Sequence, residues 1–435
     1  METALKPVGG IESSPPVRGG VRGGGSIDKH SPPQHSLHLI GNRSLASSDI
    51  DVAPRGRPNL PSGRGGKIKI ALVHDFLVKI GGAEKVTGAI SELFPEAPIY
   101  TLLYHPRVGA LFPQRKIIVS YLQLWQKFLH LPTKFLLPFM ALAIESFDFT
   151  GYDLVISSNH SFAGGIITSP ETVHISYCHS PTRYLWDAFH TYINEQRLNG
   201  LGKRILYGLL HQLRIWDKLS SGRVQKYIAI SQYVKNRIRK YYRQDSAIIY
   251  PPVDTDKIKP AATHSDYFLI VSRLTPYKKI DLAIAACNTL RLPLVIIGTG
   301  EDEARLKKLA GFSIDFLGWQ NDANKIKYLQ NCRAVIFPGE EDFGIVPVEA
   351  MAAGRPVIAY RKGGTLETIQ EGVTGMFFDQ PTAASLTQTL QKFLQQENNF
   401  VVDKITQQAE KFNKSRFQAE LIKLITNELK ACGKL

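Results

Sequence analysis

The residues best suited to chemistry lie in the second half of the chain. Glu341 and Glu349 are separated by seven residues in the segment EDFGIVPVEAMAAG. An apolar run, AVIFP, precedes it and reads as a strand. Glu341 then falls in the loop at that strand's C-terminal end, and FGIVPVE opens the next helix. Open α/β sheets bind ligands along that edge. Free N–H groups at a helix start can hydrogen-bond sugar oxygens. Glu349, about two turns further along, would accept hydrogen bonds from a diol such as a ribose. The plainer alternative is that Glu340, Glu341 and Asp342 only favour a helix N-terminus electrostatically.

Arg273 and Lys278 form a second group. They lie in SRLTPYK, directly after the apolar run YFLIV. A guanidinium fork and an ammonium point charge converging at a strand end would neutralise a pyrophosphate; apart, they are ordinary surface cations. In the first half, Gly81 and Gly82 follow the run IKIALVHDF and precede a helical pattern, so backbone can approach a ligand closely there. YCHSPTRYLWD places His179 and Arg183 at another strand end, where a histidine would touch a reacting sugar or orient an acceptor; a lone histidine is otherwise structural. Asp254-Thr255-Asp256 matches the DxD pattern of metal sites. It follows a Pro-Pro pair at a linker, so we assign it there, with its carboxylates capping the next segment. No metal and no cofactor are expected.

These groups need sheets to carry them. Strand candidates in the first half are Ile68–Phe76, Pro98–Tyr104, Asp153–Ser157, Val173–Cys178 and Lys226–Ile230. In the second half they are YFLIVS, PLVIIG, IDFLG, AVIFP, PVIAY and GMFF. Helical patterns alternate with them, among them IDLAIAACNTL, EDEARLKKLA, ANKIKYLQNC, VPVEAMAAG and TLETIQEG. That alternation predicts an α/β protein with two parallel, doubly wound sheets. The divisions are residues 1–66, a Gly/Pro/Arg-rich tail expected to be disordered; 67–250, a Rossmann-like N-terminal domain; and 251–414, a Rossmann-like C-terminal domain. Residues 415–435 form a terminal helix expected to pack back on the N-terminal domain.

The formal net charge of +15 suits phosphorylated ligands, anionic membranes or nucleic acid. RNA-binding aromatic signatures, zinc-finger spacings and long Lys/Arg blocks are missing, so no nucleic-acid partner is expected. The four cysteines, Cys178, Cys287, Cys332 and Cys432, have no CxxC spacing and suit a reducing cytoplasm. No apolar run spans a bilayer and no signal-peptide pattern opens the chain. Leu122–Ile144, rich in Leu, Phe and Trp with Lys127 and Lys134, and Leu198–Lys218, basic and amphipathic, are either core-facing helices or a face for anionic lipid. The expected location is cytoplasmic, peripheral on the inner membrane leaflet if those faces meet lipid.

R-x4-K at Arg273–Lys278, E-x7-E at Glu341–Glu349, the Gly81–Gly82 loop and YCHSP together resemble glycosyltransferase family 4 over Lys67 to about Leu429. HDFLVKIGGAEKV, YCHSPTRYLWD and SRLTPYKKIDLAI are most similar to the branch with the bacterial O-antigen mannosyltransferases. The resemblance implies a GT-B fold, two Rossmann-like domains facing a cleft, with acceptors in the first and the donor in the second. It also implies retained anomeric configuration without a metal. By it, Glu341 contacts donor sugar hydroxyls beside the amides of Phe343, Gly344 and Ile345. Glu349 binds the ribose, Arg273 and Lys278 hold the pyrophosphate with Gly81 and Gly82 opposite, and His179 approaches the anomeric carbon. The chain has Lys278–Lys279 where the family commonly has Lys-Gly. The implied partners are a nucleotide diphosphate sugar, GDP-mannose first, and a saccharide or polyprenyl-linked acceptor. A sugar-nucleotide epimerase of the same architecture, or a basic polyanion- or membrane-binding protein without catalysis, are the rival readings.

Overall fold

The computed structural model describes residues 67–435 except Arg197; the 1–66 tail lies outside the described residues. Within the compact unit Gly56–Leu435 two parallel sheets form. The first contains β1 (Ile70–Leu77), β2 (Ile99–Tyr104), β3 (Ile117–Val119), β4 (Leu154–Asn159), β5 (Val173–Cys178), β6 (Lys226–Ala229) and β7 (Ser246–Ile248). Its order is β3-β2-β1-β4-β5-β6-β7. The second contains β8 (Phe268–Val271), β9 (Leu294–Ile297), β10 (Ile314–Gly318), β11 (Ala334–Phe337), β12 (Val357–Tyr360) and β13 (Gly375–Phe378). Its order is β10-β9-β8-β11-β12-β13. In both, the order reverses beside the first strand, the switch point at which open sheets leave a ligand crevice.

Period-two alternation explains how each sheet is covered on both faces. On β1, Ala71 and Val73 enter one apolar cluster with Leu136, Met140 and Leu210. Leu72 points the other way, into a cluster with Val86 and Ile90 of the helix Gly82–Leu93. That second cluster continues into the other sheet through Val335, Val348 and Met351. The opposite face of the second sheet packs Phe268, Ile270 and Ile336 on Ile284 and Phe393.

Several boundaries differ from the sequence reading. The edge strands β3 and β7 are three residues each, too short for periodicity to reveal. TLETIQEG supplies a helix only over Thr365–Thr368. Leu122–Ile144 is two helices, Leu122–Leu129 and Thr133–Glu145. They are broken where His130 turns left-handed, at φ 49°, just before Pro132. Asp254 does not cap the next turn through its side chain; it pairs instead with Lys257 at 2.9 Å and Lys414 at 3.5 Å.

After the second sheet the chain returns to the first half. Val253 and Asn413 form a parallel bridge, with Val253 N–H donating to Phe412 O at 2.9 Å. The helix Lys414–Ala431 then packs on the first sheet. Phe417 meets Tyr177 edge-on at 5.6 Å, and Gln418 donates to Ala89 O at 3.1 Å.

Candidate active site

Two strand-end loops of the second sheet carry most of the candidate residues. After β8, Lys278 closes a single 3-10 turn, Pro276–Lys278. After β11, Gly339 lies so near this turn that a Cβ there would stand 3.0 Å from Lys278 Cα. Only glycine lets the second loop settle on the first. The result is an ion pair between Lys278 and Glu341, both side chains largely buried. Burial, then the Arg273 guanidinium, pushes the Lys278 ammonium down from the usual lysine range, while Asp342 pulls the other way; the Glu341 carboxylate in contact acts in the same sense as Asp342. Arg273 itself is exposed.

The turn into the helix Ile345–Ala352 is made by Gly344 at φ +92°, where an L side chain is strained. Phe343 is buried, stacked on Tyr250 at 5.8 Å. Glu349, on the second turn of this helix rather than deeper in it, is 7% exposed and paired with Lys325 at 2.6 Å. Five candidates therefore gather at one sheet edge: Lys278, Glu341, Gly344, Ile345 and, one turn further, Glu349.

The first sheet presents its own strand ends to this edge. A Cβ on Gly82 would lie 2.9 Å from Ile345 Cδ1, so the Gly81–Gly82 turn touches the start of the opposite helix. Lys85 spans to Asp322 at 3.1 Å. His179 follows β5, and its Nε2 shares a 2.8 Å hydrogen bond with Ser158 Oγ. Burial, with His160 and His74 adding to it, holds His179 well below the ordinary histidine range, which favours the neutral ring.

The structure adds residues that pattern reading missed. Asp75 is fully buried at the end of β1. Its Oδ2 accepts from His160 N at 2.6 Å and Ser161 N at 3.1 Å, and its Oδ1 from Ala163 N at 2.7 Å and also from Phe162 N. It thereby shapes the loop after β4 that faces His179. Beside it His74 Nε2 lies 3.7 Å from the Glu84 carboxylate. Arg237 reaches across the cleft to Asp342 at 2.6 Å. Ser231 Oγ donates to Asp342 O at 2.6 Å, and Glu367 accepts from Gln232 N at 2.7 Å and Tyr233 N at 3.1 Å. The HDF tripeptide at the end of β1 carried a readable signal, polar residues inside an apolar strand. Arg237 and Lys325 carried none, because their partners are remote in sequence.

Comparison with known proteins bears on the family and the fold. The family described as Glycosyltransferase Family 4 matches residues 80–257, and Glycosyl transferases group 1 matches residues 254–414. The two matches adjoin; together they take in the first sheet from β2 onward, all of the second sheet, and the loops that carry Gly81, Gly82, His179, Arg273, Lys278, Glu341 and Glu349. The chain belongs to glycosyltransferase family 4. Among curated relatives of this family-4 chain, human alpha-1,3/1,6-mannosyltransferase ALG2 is 29% identical over 42% of it and 53% of the relative. The O-antigen chain mannosyltransferase C of Escherichia coli is 31% identical over 39% of it and 49% of the relative. The chain thus spans about half the length of the curated relatives it matches. Anabaena Alr3699/HepE, solved in complex with UDP-glucose, superposes with a TM-score of 0.62 at 18% identity, covering 82% of this chain and 100% of that one. At that identity the likeness establishes the fold, which is GT-B.

Proposed function

We propose that this family-4 chain is a retaining hexosyltransferase. It moves mannose from GDP-mannose to a saccharide or polyprenyl-linked acceptor in polysaccharide biosynthesis. The observation that carries the reading is the meeting of Lys278 and Glu341 from separate strand-end loops, with Glu349 one turn along the next helix and the Gly82 turn opposite. The choice of mannose and GDP is supported by the two mannosyltransferase relatives and by the likeness of HDFLVKIGGAEKV and YCHSPTRYLWD to that branch.

In this reading the donor diphosphate takes Lys278 from Glu341 and lies between Arg273, Lys278 and the Gly81–Gly82 turn. The freed Glu341 carboxylate accepts hydrogen bonds from hydroxyls of the transferred sugar, with the amides of Phe343, Gly344 and Ile345 beside it. Glu349 turns from Lys325 to the ribose diol. Cleavage of the anomeric bond builds positive charge on the sugar and negative charge on the leaving phosphate. The two cations stabilise the latter as it forms. The acceptor hydroxyl attacks from the leaving-group face and passes its proton to the departing phosphate oxygen, so no protein nucleophile is required. His179 lines the acceptor side, and closure of the halves keeps water from the donor.

A screen of nucleotide sugars for thermal stabilisation tests the reading. A ligand at 100 times its Kd stabilises by about 2.7 kcal/mol. GDP-mannose is expected to give the largest shift; no shift with any GDP- or UDP-sugar removes the proposal. Turnover is expected to continue in excess EDTA, since the leaving charge is met by Arg273 and Lys278. Activity lost in EDTA and restored by manganese would return Asp254 and Asp256 to consideration.

We also assign the acceptor half to the surface of an anionic inner leaflet. No helix among the described residues is long and apolar enough to cross a membrane. Each helix of the two amphipathic stretches buries one stripe, with Leu122, Leu136, Met140, Leu210 and Leu213 inside. Trp125, Phe128, Phe135 and Phe139 remain exposed, as do Leu201 and Ile205, among Lys127, Lys134 and Arg204. Each cation near an anionic surface contributes about 1 kcal/mol, screened by salt. Co-sedimentation is therefore expected with anionic vesicles and not neutral ones, weakening as salt rises. Equal, negligible binding to both at low salt would leave the exposed rings without a lipid role.

A further inference from the structure

Arg183 is a cation at the cleft that the donor reading leaves unused. It lies in the loop that follows His179 at the end of β5, and its side chain is 33% exposed. Its Nε is buried and has no hydrogen-bond partner among the described residues. Its ion-pair partner is Asp187, at 3.9 Å, and that carboxylate is already taken by Arg237. Arg237 also binds Ser180 Oγ at 2.9 Å and Asp342 at 2.6 Å, which fixes the 180–187 loop against the Glu340–Asp342 segment. Arg183 is thereby carried on a loop that is pinned to the donor half.

Its charge is felt on that side. Lys278, pushed down by burial and then by Arg273, is pushed further by Arg183. Glu340 is held low against burial by Tyr233 and Lys362, with Arg183 adding to them. Three cations from two loops, Arg273 and Lys278 after β8 and Arg183 after β5, thus influence one small region. The carboxylates here are already engaged, Glu341 by Lys278, Asp342 and Asp187 by Arg237 and Glu340 by Lys362; the buried Arg183 Nε is the donor left over, and such a donor is costly unless an acceptor reaches it. A guanidinium offers the fork that fits phosphoryl oxygens.

We infer that Arg183 binds a phosphoryl oxygen in the cleft, completing the phosphate site from the acceptor half. The inference rests on the donor reading above. Two sources supply that chemistry: the diphosphate of the donor, or the phosphate of a lipid-linked acceptor. Arg183→Gln and Arg183→Lys separate them by calorimetric titration, first with GDP and then with inorganic phosphate added to GDP-saturated protein. Weakening of GDP by about tenfold or more in Arg183→Gln assigns Arg183 to the donor diphosphate. Unchanged GDP affinity with loss of a phosphate-binding event seen in the wild type assigns it to the acceptor. Unchanged behaviour with both probes overturns the inference. Failure of the wild type to bind either GDP or UDP instead counts against the donor reading itself. Melting temperatures without ligand separate folding defects; if Arg183→Gln does not fold, Arg183→Lys, which keeps the charge and loses the fork, carries the same comparison.

Discussion

Replacing Arg273 and Lys278 together by alanine is expected to abolish nucleotide diphosphate binding. A hydrogen bond to a charged group contributes about 1.5–3 kcal/mol. Two lost contacts to one diphosphate then amount to about 3–6 kcal/mol, or roughly a 10²–10⁴-fold rise in Kd. Lys278 makes the larger share because it is the more buried, where charge interactions are less screened. Its removal also strands Glu341, whose carboxylate then sits largely buried without its partner. The ligand-free protein is therefore expected to lose stability as well, and Glu341→Gln added to the double variant should recover part of that loss without restoring binding. Calorimetric titration with GDP and UDP reads the first effect, and urea unfolding the second. An affinity for the nucleotides equal to that of the wild type would remove both cations from the donor site.

The second large effect is expected at Asp75. Asp75→Ala removes the acceptor for four backbone N–H groups, those of His160, Ser161, Phe162 and Ala163. Ser161, Phe162 and Ala163 are themselves buried, so water cannot readily replace the carboxylate. Each buried N–H left without an acceptor costs about 1–3 kcal/mol, so the three buried donors place the expected loss at about 3 kcal/mol or more. Asp75→Asn, which keeps one carbonyl oxygen, is expected to cost less, because its amide group faces N–H donors at only one of the two positions. Turnover should fall beyond what stability explains, because the same loop carries His160 toward His179. A change below about 1 kcal/mol in the urea unfolding free energy of Asp75→Ala would show that the loop is held by packing alone.

The two sheets were legible from alternating apolar runs because parallel strands covered on both faces are nearly continuous in Val, Ile and Leu. GMFF and IDFLG carried that signal in only four and five residues, and both are strands. The loops that bring Lys278 to Glu341 were legible as positions at strand ends, and also through the family resemblance. What was not legible is the set of partners that residues take across the cleft. Nothing near Glu349 in sequence announces Lys325, and nothing near Asp342 announces Arg237, since each pair forms only when separate loops or separate halves meet. The exposed faces of Leu122–Leu129 and Thr133–Glu145 were ambiguous for a related reason. A stripe wide enough to fill a core and still leave aromatic rings outside has the same local pattern as one that is wholly buried.

The bridge between Val253 and Asn413 gives the molecule two adjacent crossings between its halves, one outbound and one returning. A single linker allows the halves to swing, twist and slide. Two crossings side by side, one tied to the other by the Val253 N–H bond to Phe412, leave rotation about their shared line as the easy motion. The mouth of the cleft can then widen while Gly82 and Ile345 keep their mutual alignment on every return, as the two leaves of a book meet along the same edges because the spine holds both. A single proteolytic cut in one crossing would leave the halves joined through the other, with their freedom increased but their association intact.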